Sequence, residues 1–133
     1  MNIIQKEIKS FGHAIRGIKF LFQSQTHARF HLFAALVSIF LIIYLNGTAL
    51  EIGLIFLASA SVLAAEAFNT AIENLTDLVS PEWNAAAGRV KDISAGGVLI
   101  CACFAAATGF LILAPKVFYW ICEFVMLDCT NLF

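Results

Sequence analysis

Glu66, Asn69, Glu73 and Asp77 follow one another at steps of three, four and four, at the inner end of a long apolar run. On a helix those steps bring all four side chains onto one narrow stripe. A carboxylate that close to hydrocarbon is costly, and is seldom kept without a partner or a task. After a short polar turn comes Gly88-Arg89-Val90-Lys91-Asp92, which holds the nearest cations in sequence. Glu66, the deepest of the set, suits a general base. Asn69, one turn on, can orient a hydroxyl or a phosphate. Glu73 and Asp77, nearer water, offer hard oxygens of the kind that hold Mg²⁺ together with phosphate oxygens. Lys91 offers a cation to a polyphosphate, and Asp92 an acceptor to a sugar or amine. The bland alternative is that these groups only pair with one another across a helix interface.

The elements that must carry this stripe are helices in a membrane. The 133 residues make one domain by length. Apolar residues account for 61% and charged residues for 13%, with mean hydropathy +0.88, far from the balance of a soluble domain. A net charge of −1 with no basic cluster argues against a nucleic-acid partner. Residues 30–50 carry no Lys, Arg, Asp or Glu, and neither do residues 93–114. Each is long enough to span a bilayer. Residues 52–65 are also charge-free and continue helically past Glu66, on condition that the acidic stripe faces protein or water. The expected all-α arrangement is a helix over 3–24, spans over 28–46, 49–78 and 86–114, and an outward-facing tail over 115–133. Ser80-Pro81 ends the second span, and Pro115 is expected to end the third.

All of the eight basic residues except Lys116 fall before or at the very start of the first span, or between the second and third. The positive-inside rule then puts the N-terminus and the 79–92 turn in the cytoplasm, in a multi-pass protein of the cytoplasmic membrane. In residues 3–24, Ile4, Ile8, Phe11, Ile15, Ile18 and Phe22 form one apolar stripe opposite Lys6, Lys9, His13 and Arg16. That is the pattern of a helix lying in the membrane interface; a soluble helix packed on a partner is the alternative. The N-terminal segment does not read as a secretory signal. Cys101 and Cys103, inside the third span, read as small hydrophobes, and Cys122 and Cys129 could pair only in an oxidising compartment. The aromatic residues after Pro115 suit an outer interface.

Glu66-Ala67-Phe68-Asn69-Thr70-Ala71-Ile72-Glu73, continuing to Asp77 and followed by Gly88-Arg89-Val90-Lys91-Asp92, resembles the prokaryotic diacylglycerol kinase family, which includes the undecaprenol kinases. The resemblance covers about residues 5–118. It implies an integral membrane kinase with an interfacial N-terminal helix and three spans, assembled as a homotrimer, which moves the γ-phosphate of MgATP to a lipid hydroxyl without a P-loop. Diacylglycerol is the first acceptor it implies, giving phosphatidic acid, and undecaprenol the second, giving undecaprenyl phosphate. Carried over by position, Glu66 matches the catalytic base and Asn69 an active-site asparagine. Glu73 matches a metal-binding glutamate that also contacts ATP. Lys6, His13, Gln25, Asp77, Glu82, Trp83, Asn84, Lys91 and Asp92 match positions around the nucleotide. Lys6, Phe11, Glu66 and Ala95 match positions at the lipid. His31 resembles a frequent family histidine and is placed to touch a headgroup.

Two departures from the family pattern matter. Gln25 stands where the family commonly has a second metal-binding glutamate, so a neutral carbonyl oxygen replaces a charge, and His27 stands for the usual asparagine. Trp83-Asn84 keeps an aromatic ring where many members carry an aromatic–histidine pair, but loses the histidine. Two other classes fit parts of the chain. A small transporter would use one buried glutamate for cations, which leaves the Gly88–Asp92 segment unexplained; a non-catalytic assembly factor is the other.

Overall fold

The computed structural model describes residues 2–130, with side chains described as far as Val125. Four helices follow in order: α1 (Ile3–Ser24), α2 (Thr26–Tyr44), α3 (Ala49–Val79) and α4 (Ala85–Thr130). Among the described residues there is no strand. Helices α2, α3 and the Ala85–Val125 part of α4 are each long and apolar enough to cross a membrane. Few side chains are buried, and large apolar ones such as Phe33, Phe40, Leu57, Phe104 and Leu111 stand exposed. That distribution suits a lipid solvent and would be untenable in water.

The bundle is built on a narrow seam. On α2 the buried residues are Ala28, Ala35 and Ile42. On α3 they are Ile55, Val62, Glu66, Asn69 and Thr70. The α2 set repeats in steps of seven, and the α3 set runs in steps of seven, four and three with Thr70 beside Asn69, the spacing that keeps one seam facing a neighbour along a helix. Alanines on α2 let the two backbones approach closely. Helix α3 packs chiefly on α4 and next on α2, while α1 touches α2 and α3 only lightly.

The helix bounds follow local chemistry. A single extended residue, Gln25 (φ −107, ψ 116), separates α1 from α2. The break between the two helices is therefore confined to one residue, and α2 starts and stops two residues earlier than its expected 28–46. At the α2–α3 turn Asn46 adopts a positive φ of 52°. Thr48 then caps α3: its hydroxyl accepts from Glu51 N at 3.3 Å, and its own N–H donates to Glu51 Oε2 at 2.7 Å. Helix α3 closes at Ser80, whose N–H donates to the Thr76 carbonyl.

One expected boundary is not met. Helix α4 does not end at Pro115 but continues through it to Thr130. A proline removes only one helical donor. Two contacts hold the continuation against the bundle: Lys116 Nζ lies 3.2 Å from Glu51 Oε2, and the Tyr44 and Trp120 rings meet edge to face with centroids 6.2 Å apart. The last residues of the expected tail, 131–133, and the Cys129 side chain lie outside the described residues.

Candidate active site

Helix α3 carries Glu66, Asn69, Glu73 and Asp77 on one face, and burial falls steadily along it. Glu66 is 5% exposed and Asn69 9%, Glu73 is half-buried, and Asp77 is exposed. Asn69 Nδ2 donates to Glu73 Oε1 at 3.0 Å, one turn apart. Asp77 takes the Lys91 ammonium, so the stripe gains its cation from the start of α4, as the spacing suggested. Glu66 is partnered from a third helix: His31 Nε2 on α2 lies 3.4 Å from Glu66 Oε1. Four polar groups of α3 thus meet one group from each neighbouring span.

The inner end of this stripe is open. The Asp77 and Lys91 side chains are 65% and 37% exposed, so their pair lies at the surface and does not seal the entrance. Asp92 and Arg89 beside it are exposed. At the buried end, Asn69 Oδ1 and Thr70 Oγ1 have no hydrogen-bond partner. Unsatisfied buried oxygens are uncommon, and a catalytic or ion-binding role is one of the reasons they persist. From His31 an apolar groove of about 750 Å³ runs outward between α2, α3 and α4, past Ala58, Val62 and Ala105 to Ile121.

The other residues singled out in the sequence lie elsewhere. Asn84 Oδ1 accepts from the N–H groups of Ala86 at 2.8 Å and Ala87 at 3.4 Å, which makes it the cap of α4. Trp83 is 92% exposed, and Glu82 and Ala95 are exposed too. On α1, Lys6 and Phe11 are exposed, and His13 Nδ1 lies 2.7 Å from an Arg16 nitrogen. Gln25 is half-buried at the α1–α2 break. Among the described residues, no hydrogen bond or ion pair joins Lys6, His13, Gln25, Glu82, Trp83 or Asn84 to the α3 stripe.

The model of the prokaryotic diacylglycerol kinase family matches residues 12–113, a stretch that takes in the whole stripe and its partners. The chain belongs to that family. It is 32% identical over 115 residues to the undecaprenol kinase of Bacillus subtilis, covering 86% of this chain and 94% of that protein. It is likewise 32% identical over 96 residues to the diacylglycerol kinase of Haemophilus influenzae, covering 72% of this chain and 81% of that protein. A diacylglycerol kinase of Synechocystis is 33% identical over 107 residues, 80% of this chain and 61% of its own length.

In this member of the diacylglycerol kinase family, the stripe offers one carboxylate and a neighbouring amide oxygen to a metal ion. Among the described residues no group of three His, Cys, Asp or Glu side chains could hold a metal by itself. Mg²⁺ is commonly held by one or two carboxylates together with phosphates and water. The Glu73 carboxylate meets that requirement, beside the unpartnered Asn69 Oδ1. The reading of the sequence missed two pairings. Thr48-Ala49-Leu50-Glu51 is a legible capping box, but nothing local announces that Glu51 also takes Lys116. His31 was singled out for a headgroup, and the contact with Glu66 shows only once the helices pack.

Proposed function

We propose that this chain phosphorylates the hydroxyl of a membrane lipid with MgATP, and that diacylglycerol is the acceptor, giving phosphatidic acid. The observation that carries the reading is the graded stripe: a buried carboxylate beside an apolar groove at one end, and solvent-facing polar groups with a cation at the other. A nucleotide and a lipid need just such a junction of wet and greasy surfaces. Family membership supports the same reaction class.

Glu66 takes the proton of the lipid hydroxyl, and the freed oxygen attacks the γ-phosphorus in line. The O–P bond forms as the bond to the bridging oxygen breaks, and ADP leaves with that electron pair. Asn69 orients the hydroxyl or the γ-phosphate. Lys91, steadied by Asp77, faces the phosphates with its positive charge, and Asp92 lies beside it. Glu73 would hold Mg²⁺, with Gln25 as a second, neutral oxygen donor, and the bound ion would neutralise phosphate charge. The base then gives its proton to water. Most of the rate comes from positioning and electrostatics, and no covalent enzyme intermediate is needed.

The exposed apolar stripe of α1, from Ile4 through Ile8, Phe11, Ile15 and Ile18, supports a helix lying in the interface. In this reading the N-terminus and the stripe's open end face the cytoplasm, Lys6, His13, Glu82, Trp83 and Asn84 border the nucleotide, and Phe11 and Ala95 border the lipid. Undecaprenol is a second acceptor reading, favoured by the near full-length match to the Bacillus subtilis undecaprenol kinase.

One assay tests the reading. Purified protein is given γ-labelled ATP with diacylglycerol in one lane and undecaprenol in another. Label extracted into chloroform is expected, and its lane names the acceptor; no lipid label in either lane rejects the kinase reading in favour of a transporter or assembly factor. Glu66→Gln is expected to lower turnover by about a hundredfold or more with MgATP binding retained. Near wild-type turnover in that variant would remove Glu66 from the base role.

A further inference from the structure

The proposed reaction leaves one close polar contact unused. The Glu66 carboxylate is enclosed by protein, its side chain only 7% exposed, and the group facing it is the imidazole of His31 at 3.4 Å. The other polar groups of the α3 stripe are directed at each other or at α4, Asn69 toward Glu73 and Asp77 toward Lys91. A buried carboxylate without a partner is strongly disfavoured. The partner here comes from a separate helix, brought to Glu66 by the seam that buries Ala28 and Ala35 on α2 against Val62 on α3. His31 also lines the mouth of the apolar groove, with its side chain 21% exposed. It therefore stands between the base and the space that an acyl or prenyl tail would enter.

We propose that His31 is a positioning residue for phosphoryl transfer: its Nε2–H holds Oε1 of Glu66 and leaves Oε2 turned to the acceptor hydroxyl. The proposal rests on the reading of Glu66 as the base. Imidazole suits the task better than a lysine or arginine would. A neutral imidazole can donate from Nε2 when Nδ1 carries no proton, which steadies the carboxylate without locking it into an ion pair with a permanent cation. Contacts of this kind are often long before substrate arrives and tighten in the reacting complex. The proton still travels from the lipid hydroxyl to Glu66, and His31 changes only where the carboxylate points and how long it stays there.

The test uses full-length protein in mixed lipid micelles, with His31→Gln, His31→Asn and His31→Leu. The Gln side-chain nitrogen reaches about as far as Nε2, whereas that of Asn stops near the Nδ1 position. His31→Leu and His31→Asn are expected to lower kcat by about tenfold or more, with KM for MgATP within about twofold of wild type. His31→Gln is expected to recover most of the loss. Should His31→Leu fail to fold, the two amide variants decide by themselves. Equal impairment of Gln and Asn, a kcat that stays near wild type without His31, or a rise confined to KM for the lipid would each overturn the positioning role. The last of these would make His31 a headgroup contact. Failure of the base reading is seen separately, as turnover surviving in Glu66→Gln.

Discussion

Between Asn69 and Glu73 lies the most consequential pairing outside the Glu66 contact. The amide nitrogen of Asn69 is spent on Glu73, while its oxygen stays buried and unpartnered. The pair thus presents oxygens inward at a point where only one carboxylate is available. Gln25→Glu would add a second negative charge, and the apparent affinity for Mg²⁺ is expected to tighten by about tenfold, from one added charge-assisted contact. A magnesium titration of activity reads this directly, and an unchanged midpoint would exclude residue 25 from the ion's surroundings. Much of this site was legible in the sequence, because steps of three and four on a helix fix which side chains share a face. Lys91 was expected as the nearest cation in sequence, and its pairing with Asp77 shows only in the fold. The Glu66–His31 contact was not legible either, since it depends on the register between α2 and α3, which no local pattern encodes. Asn84 also caps α4, its amide oxygen accepting from two backbone donors, a role its place in the sequence did not announce.

At the level of elements, the α2–α3 turn leaves no room for a side chain at Gly47. Gly47 N donates to the Ile42 carbonyl at 2.8 Å. A Cβ at Gly47 would stand 2.5 Å from Ile42 Cγ1 and 2.8 Å from the Ile42 backbone oxygen. Ile42 is fully buried, so neither its side chain nor its backbone has room to retreat. Gly47→Ala is expected to destabilise the protein by about 1–3 kcal/mol, seen as a lower Tm in detergent, with KM for MgATP unchanged because the turn lies at the opposite end from the stripe. A Tm equal to wild type would mean the turn relaxes freely. The helices themselves were largely readable: α1 spans the expected 3–24, and α3 runs one residue past its expected end, because apolar periodicity and the Ser80-Pro81 break are local signals. The end of α4 was not readable in the same way. Proline usually stops a helix, and the contacts that hold the continuation, Glu51–Lys116 and Tyr44–Trp120, come from other elements that no local signal announces.

For the whole molecule, the sparse core leaves apolar faces that something outside the chain must cover. A bundle that buries little beyond Leu21, Ala28, Ala35, Ile42, Ile55, Val62 and Val98 leaves its groove and most of its apolar faces for lipid or for further copies. The homotrimer implied by the family resemblance is the assembly we propose. Light scattering corrected for bound detergent should then return three times the 14.5 kDa chain mass, and a value equal to one chain would refute it. Two ion pairs tie α3 to α4 at opposite ends, Asp77–Lys91 and Glu51–Lys116. Along α3 they are separated by a rise of about 39 Å, close to the full thickness of a bilayer with its headgroups. Pro115 sits immediately beside the second pair. A proline there leaves the Leu111 carbonyl without its helical donor, and helices bend most readily at such a gap. A bend at that gap would move the aromatic end of α4 and leave the Asp77–Lys91 end, on the far side of the bundle, in place.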